Sequence, residues 1–189
     1  MSKILLKKLG KEKLIISRRQ MRVEFKTQLK RENLFKFNMY QIYTSFQGIL
    51  SIIVAVFVIV VGFYNLGKVT PQKTILTFAI GLLFLFYLPI TLYRRAEVAL
   101  KKNEVLAGEI QYILSEEGVK VQCGDEEALL PWECVYKVVA TKTNILIYST
   151  RVNAYVIPRK QVEDIYGDIF KVVNENLEKY RVSMKPHKA

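Results

Sequence analysis

The sequence predicts a membrane protein of α+β class: a two-helix transmembrane hairpin followed by a small antiparallel β-barrel, which is capped by a C-terminal amphipathic helix. Three observations predict it. Two uncharged apolar runs, residues 37–67 and 74–93, interrupt a 189-residue chain whose formal net charge is +12. From residue 110 the apolar residues alternate with a period of two between turn signals, and beyond residue 160 they fall at spacings of three and four. The chain is 51% hydrophobic although Lys and Arg outnumber Asp and Glu by 29 to 17, so apolarity and charge occupy different segments. That combination excludes an ordinary soluble globule, a disordered polyelectrolyte and a secreted disulfide scaffold.

In the first run the apolar heart is Ile49 to Leu66, where only Ser51, Gly62 and Asn65 of 18 residues are not apolar. The second, Thr74 to Tyr93, holds 15 apolar residues of 20. At ~1.5 Å per residue such helices reach about the ~30 Å of a hydrocarbon core. Both runs are rich in β-branched residues, but a lone strand cannot satisfy its backbone in lipid, and neither run alternates. Tyr40, Tyr43, Tyr64, Tyr87 and Tyr93 gather near the run ends, as interfacial aromatics do. Pro89 is expected to kink the second helix near its end.

Gly67 to Lys73 is too short for anything but an antiparallel hairpin, so both termini lie on one side. Residues 1–36 carry net +9, the connector +2 and residues 94–189 only +1, with Arg94, Arg95, Lys101 and Lys102 directly after the second run. Positive residues stay inside, which predicts a multi-pass protein of the cytoplasmic membrane with both termini cytosolic. The start has only Ile4-Leu5-Leu6 as an apolar stretch, far short of a signal-peptide core.

These signals divide the chain into a basic tail (1–20), a strand with a juxtamembrane helix (21–46), the hairpin (47–93) and a cytoplasmic domain (94–189). Val23, Phe25, Thr27 and Leu29 alternate as one strand, and residues 31–46 read as a helix running into the first span. A short helix is expected from Arg94 to about Lys102. Strands then follow at about 110–114, 119–123, 128–130, 134–140, 145–149 and 154–157, joined by turns such as Glu116-Glu117-Gly118 and Gly124-Asp125-Glu126. The closing helix carries Val162, Ile165, Tyr166, Ile169, Val172, Val173, Leu177 and Tyr180 on one stripe. Six strands, or seven with residues 21–29, plus that helix describe a pleckstrin-homology-like barrel.

The inventory for catalysis is thin, and no cofactor is expected. The single histidine, His187, sits beside Pro186 at the C-terminus, where no fixed active site is expected. No Gly-rich phosphate loop or HExxH motif is present. Cys123 and Cys134 lack metal spacing and read as reduced thiols. The carboxylates 125–127 follow a glycine and read as a solvated hairpin tip. Basic charge concentrates beside the spans rather than on the folded domain, which favours a membrane surface over nucleic acid. Its candidate headgroup contacts are Lys26, Lys30, Arg31, Lys36, Arg94, Arg95, Lys101 and Lys102. Trp132 is either a partner anchor or a core residue locked by Pro131 at a strand start.

From Met21 onward, and most strongly over residues 31–158, the chain resembles the YcxB-like family of bacterial membrane proteins. The residues that carry the resemblance are Phe35 to Phe46 (FKFNMYQIYTSF) with Gly48, Tyr87-Leu88-Pro89 to Tyr93, and Tyr112 with Glu116-Glu117-Gly118. Leu130-Pro131-Trp132-Glu133, Tyr148-Ser149-Thr150-Arg151 and Ala154 to Pro158 complete the set. The resemblance implies a two-span hairpin, a cytoplasmic pleckstrin-homology-like domain and no assigned enzymatic activity. The expected function is a membrane-anchored, non-catalytic module that docks a protein partner or anionic lipid headgroups, in a monomer or a homo-oligomer. The competing expectation is an accessory subunit or membrane-protective factor acting through its helices, for which Ser51 and Ala55 give one small-xxx-small pair.

Overall fold

A computed structural model describes residues 22–103, 108–124 and 126–186. The described residues divide into two compact units: residues 30–103, which are helical, and residues 22–29 with those from 108 onward, which carry the sheets. The first strand belongs with the sheets, and residues 94–103 with the helices.

The helical unit contains α1 (Arg31–Tyr43), α2 (Phe46–Tyr64) and α3 (Pro71–Lys102). The expected continuous helix into the first span is broken at Thr44 and Ser45. Thr44 Oγ1 donates to the Tyr40 carbonyl at 2.7 Å, and Ser45 Oγ to that of Ile42 at 2.6 Å. Hydroxyls that bond the last carbonyls compete with the backbone and end the helix. Ser45 then caps α2, its Oγ accepting from the Gly48 amide at 3.2 Å. The approach of the chain is close there, because a Cβ on Gly48 would lie 2.0 Å from the Ile42 carbonyl oxygen. The short helix expected after Arg94 is the end of α3, which starts with Pro71 in its first turn and stays helical through Pro89 for 32 residues. Lys101 and Lys102 in its last turn complement the helix dipole.

α2 and α3 pack as a hairpin through small residues. Gly48, Ala55 and Gly62 are the buried positions of α2, and they recur every seventh residue; Thr74 and Gly81 repeat that interval on α3. Gly62 faces the Phe78 ring, and Gly81 faces Ile59. Small side chains let the two helix backbones approach closely.

The sheet unit corrects the expected closed barrel to two four-stranded sheets. β1 (Val23–Gln28), β2 (Glu109–Ser115), β3 (Gly118–Cys123) and β4 (Glu126–Leu130) pair in that order, all antiparallel. β5 (Lys137–Ala140), β6 (Asn144–Tyr148), β7 (Ala154–Pro158) and β8 (Val182–Ser183) form the second, in the order β7-β6-β5-β8, with β5 and β8 parallel. Closure fails between β4 and β5. Pro131 and the 3₁₀ turn Trp132–Cys134 occupy the start of the expected fourth strand and carry the chain from one sheet to the other. Gly118 opens β3 with φ +147°, and a Cβ there would meet the Leu130 carbonyl oxygen at 2.3 Å, so only glycine fits the turn.

The closing helix, α4 (Tyr166–Asn176), is shorter than the stripe predicts. Leu177 is already extended at φ −121°, ψ 147°, so the helical phase is lost and Tyr180 is 84% exposed. The rest of the stripe serves the core: Val162, Tyr166, Ile169, Val172, Val173 and Leu177 are buried. Leu114 and Val119 of the first sheet, with Val138, Ile145, Leu146, Ile147 and Ile157 of the second, complete it. β6 is buried at every position.

Candidate functional site

Two helices of the described residues, α2 and α3, are long and apolar enough to cross a membrane. Burial separates them from core helices of a soluble protein, since only 17% and 11% of their most apolar stretches are covered. The seam of small residues turns the large side chains outward: Phe57, Val60 and Phe63 on α2, and Leu83, Phe86, Tyr87 and Ile90 on α3 are all more than half exposed. Both ends of this apolar surface carry aromatic–cation pairs. Lys68 Nζ lies 3.5 Å from the centre of the Tyr64 ring, and the Arg31 guanidinium 4.4 Å from that of Tyr93. Rings and cations so placed match a boundary between apolar and aqueous surroundings.

The expected headgroup contacts divide by environment. Lys26 lies on β1 of the sheet unit, paired with Glu109 at 2.9 Å. Lys30, Arg31 and Lys36 lie at and in α1. Arg31 reaches Glu97 at 3.3 Å, Lys36 reaches Glu32 at 2.5 Å, and Lys101 also reaches Glu97, at 2.9 Å. These pairs are exposed and screened by water, but Arg31 and Glu97 bring the first turn of α1 to the last turns of α3. Both links to the sheet unit therefore leave the helical unit at one end. Arg94, Arg95 and Lys102 are exposed on α3 with no acidic partner among the described residues.

Trp132 is not presented as an anchor. It is 6% exposed, and its Nε1 donates to the Ser115 carbonyl at 2.7 Å, joining the turn after β4 to the end of β2. The residue lies in a 3₁₀ turn rather than at a strand start. Of the carboxylates after Gly124, Glu126 and Glu127 belong to β4, and Glu127 pairs with Lys120 at 2.5 Å. A polar groove of about 530 Å³ crosses this sheet between Arg22, Glu116, Lys120 and Glu127. Among the described residues no three His, Cys, Asp or Glu side chains form a metal site, and Cys123 and Cys134 form no disulfide. His187 and the tail 1–20 lie outside the described residues.

In the core of the sheet unit Tyr112 stacks on Phe25, ring centres 5.5 Å apart, and meets Tyr155 edge-on at 6.4 Å. Burial, with smaller contributions from Tyr155 and Cys123, pushes its phenol above the ordinary range. Burial raises Tyr166 also, against the opposing pull of Arg159 and of the bond its hydroxyl donates to the Lys185 carbonyl. Both groups are structural.

Sequence reasoning missed the heptad of small residues on α2. Its signal was present as Gly48, Ala55 and Gly62, but it stands out only once a facing helix is known.

The family model for YcxB-like proteins matches residues 114–171, from the end of β2 into α4. The match covers less than half of the chain. The segments Phe35 to Phe46 and Tyr87 to Tyr93, which also carry the resemblance, lie outside it. No match was found among curated proteins, and none among solved structures.

Proposed function

We propose that the helical unit is a membrane-embedded hairpin with both of its chain links on the cytoplasmic side. It holds the sheet unit at the cytoplasmic face as a non-catalytic binding or scaffolding module. One observation carries this: the most apolar stretches of α2 and α3 are 17% and 11% buried, so their side chains need cover that the described residues do not supply. Soluble monomers rarely expose apolar patches beyond a few hundred Å². Orientation follows from the positive residues at the Arg31–Glu97 end and before it. Two mainly antiparallel sheets closed by α4 support a pleckstrin-homology-like module. Of the two small residues that would favour action on other helices within the bilayer, Ala55 is taken up by the hairpin's own seam.

The native thiols provide the test. Cys134 is exposed on the sheet unit. A membrane-impermeant maleimide is expected to label it only after cells are permeabilised. Thr70→Cys, in a chain whose native cysteines are serine, is expected to label in intact cells. The opposite pattern reverses the orientation, and release of the chain by alkaline carbonate removes the membrane reading.

A further inference from the structure

We propose that one face of α3 is a binding site for a single anionic phospholipid, with an acyl chain along Leu83, Phe86 and Ile90 and the phosphate held by Arg94 and Arg95. The proposal rests on the membrane reading above and adds a ligand to it. A groove of about 690 Å³ runs along this face, lined by Leu83, Phe86, Tyr87, Ile90, Arg94 and Arg95 among others. Their spacings of three and four place them on one helical stripe. The stripe is apolar for its first two turns and then cationic. Leu83 and Ile90 are 64% and 58% exposed, so the apolar part lacks cover among the described residues.

Charge selects the occupant. Arg31 and Lys101 share Glu97, and Lys36 has Glu32, whereas Arg94 and Arg95 have no acidic partner among the described residues. They are the first charged residues after the uncharged run 74–93, at the depth where a bilayer places its phosphates. Guanidinium groups match phosphate in a planar, two-bond geometry that ammonium groups lack. The exposed face of α2 offers no equivalent: the cation beyond its end, Lys68, lies over the Tyr64 ring. An amphiphile with one negative head fits an apolar stripe that ends in two guanidiniums with no acidic partner among the described residues. A protein segment of the same shape would need a matching acidic end.

The test uses the full chain in vesicles, with Phe86→Trp as reporter and lipids brominated in mid-chain as quenchers. Position 86 lies ~12 Å along the helix from Arg94, at acyl-chain depth. Trp132 is buried, and the chain with Phe86 intact supplies its background. Brominated phosphatidylglycerol is expected to quench the reporter indole at a lower mole fraction than brominated phosphatidylcholine, by about fivefold for each arginine. R94Q/R95Q is expected to abolish the preference, while K68Q/K73Q, which removes equal charge at the other end of the hairpin, is expected to retain it. Equal quenching by both lipids in the parent chain overturns the site, as does a preference that survives R94Q/R95Q. Loss of the preference on adding soluble glycerol phosphate also overturns it, in favour of a soluble phosphate ligand. Quenching by neither lipid removes the membrane reading and the site with it.

Discussion

Gln161 completes the backbone of Gln28 with its side chain: the Gln28 amide donates to Gln161 Oε1 at 2.9 Å, and Gln161 Nε2 donates to the Gln28 carbonyl at 3.0 Å. Gln28 is the last residue of β1, an edge strand, so one amide side chain acts there as a partner strand would. Gln161→Ala is expected to cost about 1 kcal/mol, since water replaces part of what is lost at an exposed site. Hydrogen exchange at the Gln28 amide is the sensitive measure. An unchanged exchange rate would mean that β1 is held by its pairing with β2 alone.

The core of the sheet unit predicts a sharp contrast between two positions. Ile169 on α4 is fully buried, and Ile169→Ala is expected to cost ~2–5 kcal/mol through lost burial and the cavity left behind. Glu126 at the start of β4 is exposed, and Glu126→Ala is expected to stay within ~0.5 kcal/mol. Denaturant unfolding of the purified chain measures both, and equal costs would mean that α4 does not face a core.

In the helical unit the two glycines of α2 predict graded effects. Alanine at Gly48 would place its Cβ 2.0 Å from a backbone oxygen, which cannot move without opening the turn after α1. Alanine at Gly62 would meet the Phe78 ring at 3.2 Å, and a ring can shift. Gly48→Ala is therefore expected to destabilise by at least the ~1–3 kcal/mol typical of overpacking, and Gly62→Ala by less than ~1 kcal/mol. Thermal unfolding in detergent ranks the two.

How much of this was legible in the sequence depended on the range of the interaction. Length without charge marks α2 and α3, and alternation marks β1, β2 and β3, because each signal is complete within its own segment. Thr44 and Ser45 end α1 through bonds to carbonyls three and four residues back, a local device that the uninterrupted apolar pattern hid. The turn at Trp132 depends on a bond to Ser115, and β8 is two residues that become a strand only beside β5. Neither has a local signature. Of the expected headgroup contacts, Lys26 and Arg31 have acidic partners, Glu109 and Glu97, that only the fold brings near, whereas Lys36 and Lys101 pair with carboxylates four residues away on the same helix.

Alkaline pH supplies a further prediction. Tyr112 is buried beside Phe25 and Tyr155, and its phenol is raised above the ordinary value of 10.0. The fold therefore favours the neutral form. That stability is fully present below about pH 10 and is lost as pH rises towards the folded value, at roughly 1.4 kcal/mol per pH unit. Tyr112→Phe is expected to flatten this part of the stability curve between about pH 10 and 12. An unchanged slope would assign the alkaline loss to other groups.

The sheet unit begins before the helical unit and resumes after it, so β1 leaves the ribosome ahead of both apolar helices while its partner β2 follows them. At ~5–20 residues per second, the intervening helical unit occupies roughly 4–15 s of synthesis, during which β1 has no strand to pair with. On the proposed membrane reading, hairpin insertion comes first and sheet closure second, and β1–β2 pairing joins the chain on the two sides of the helix pair. During that interval β1 is an edge without its partner, the kind of exposed strand on which chains aggregate or are recognised as unfinished.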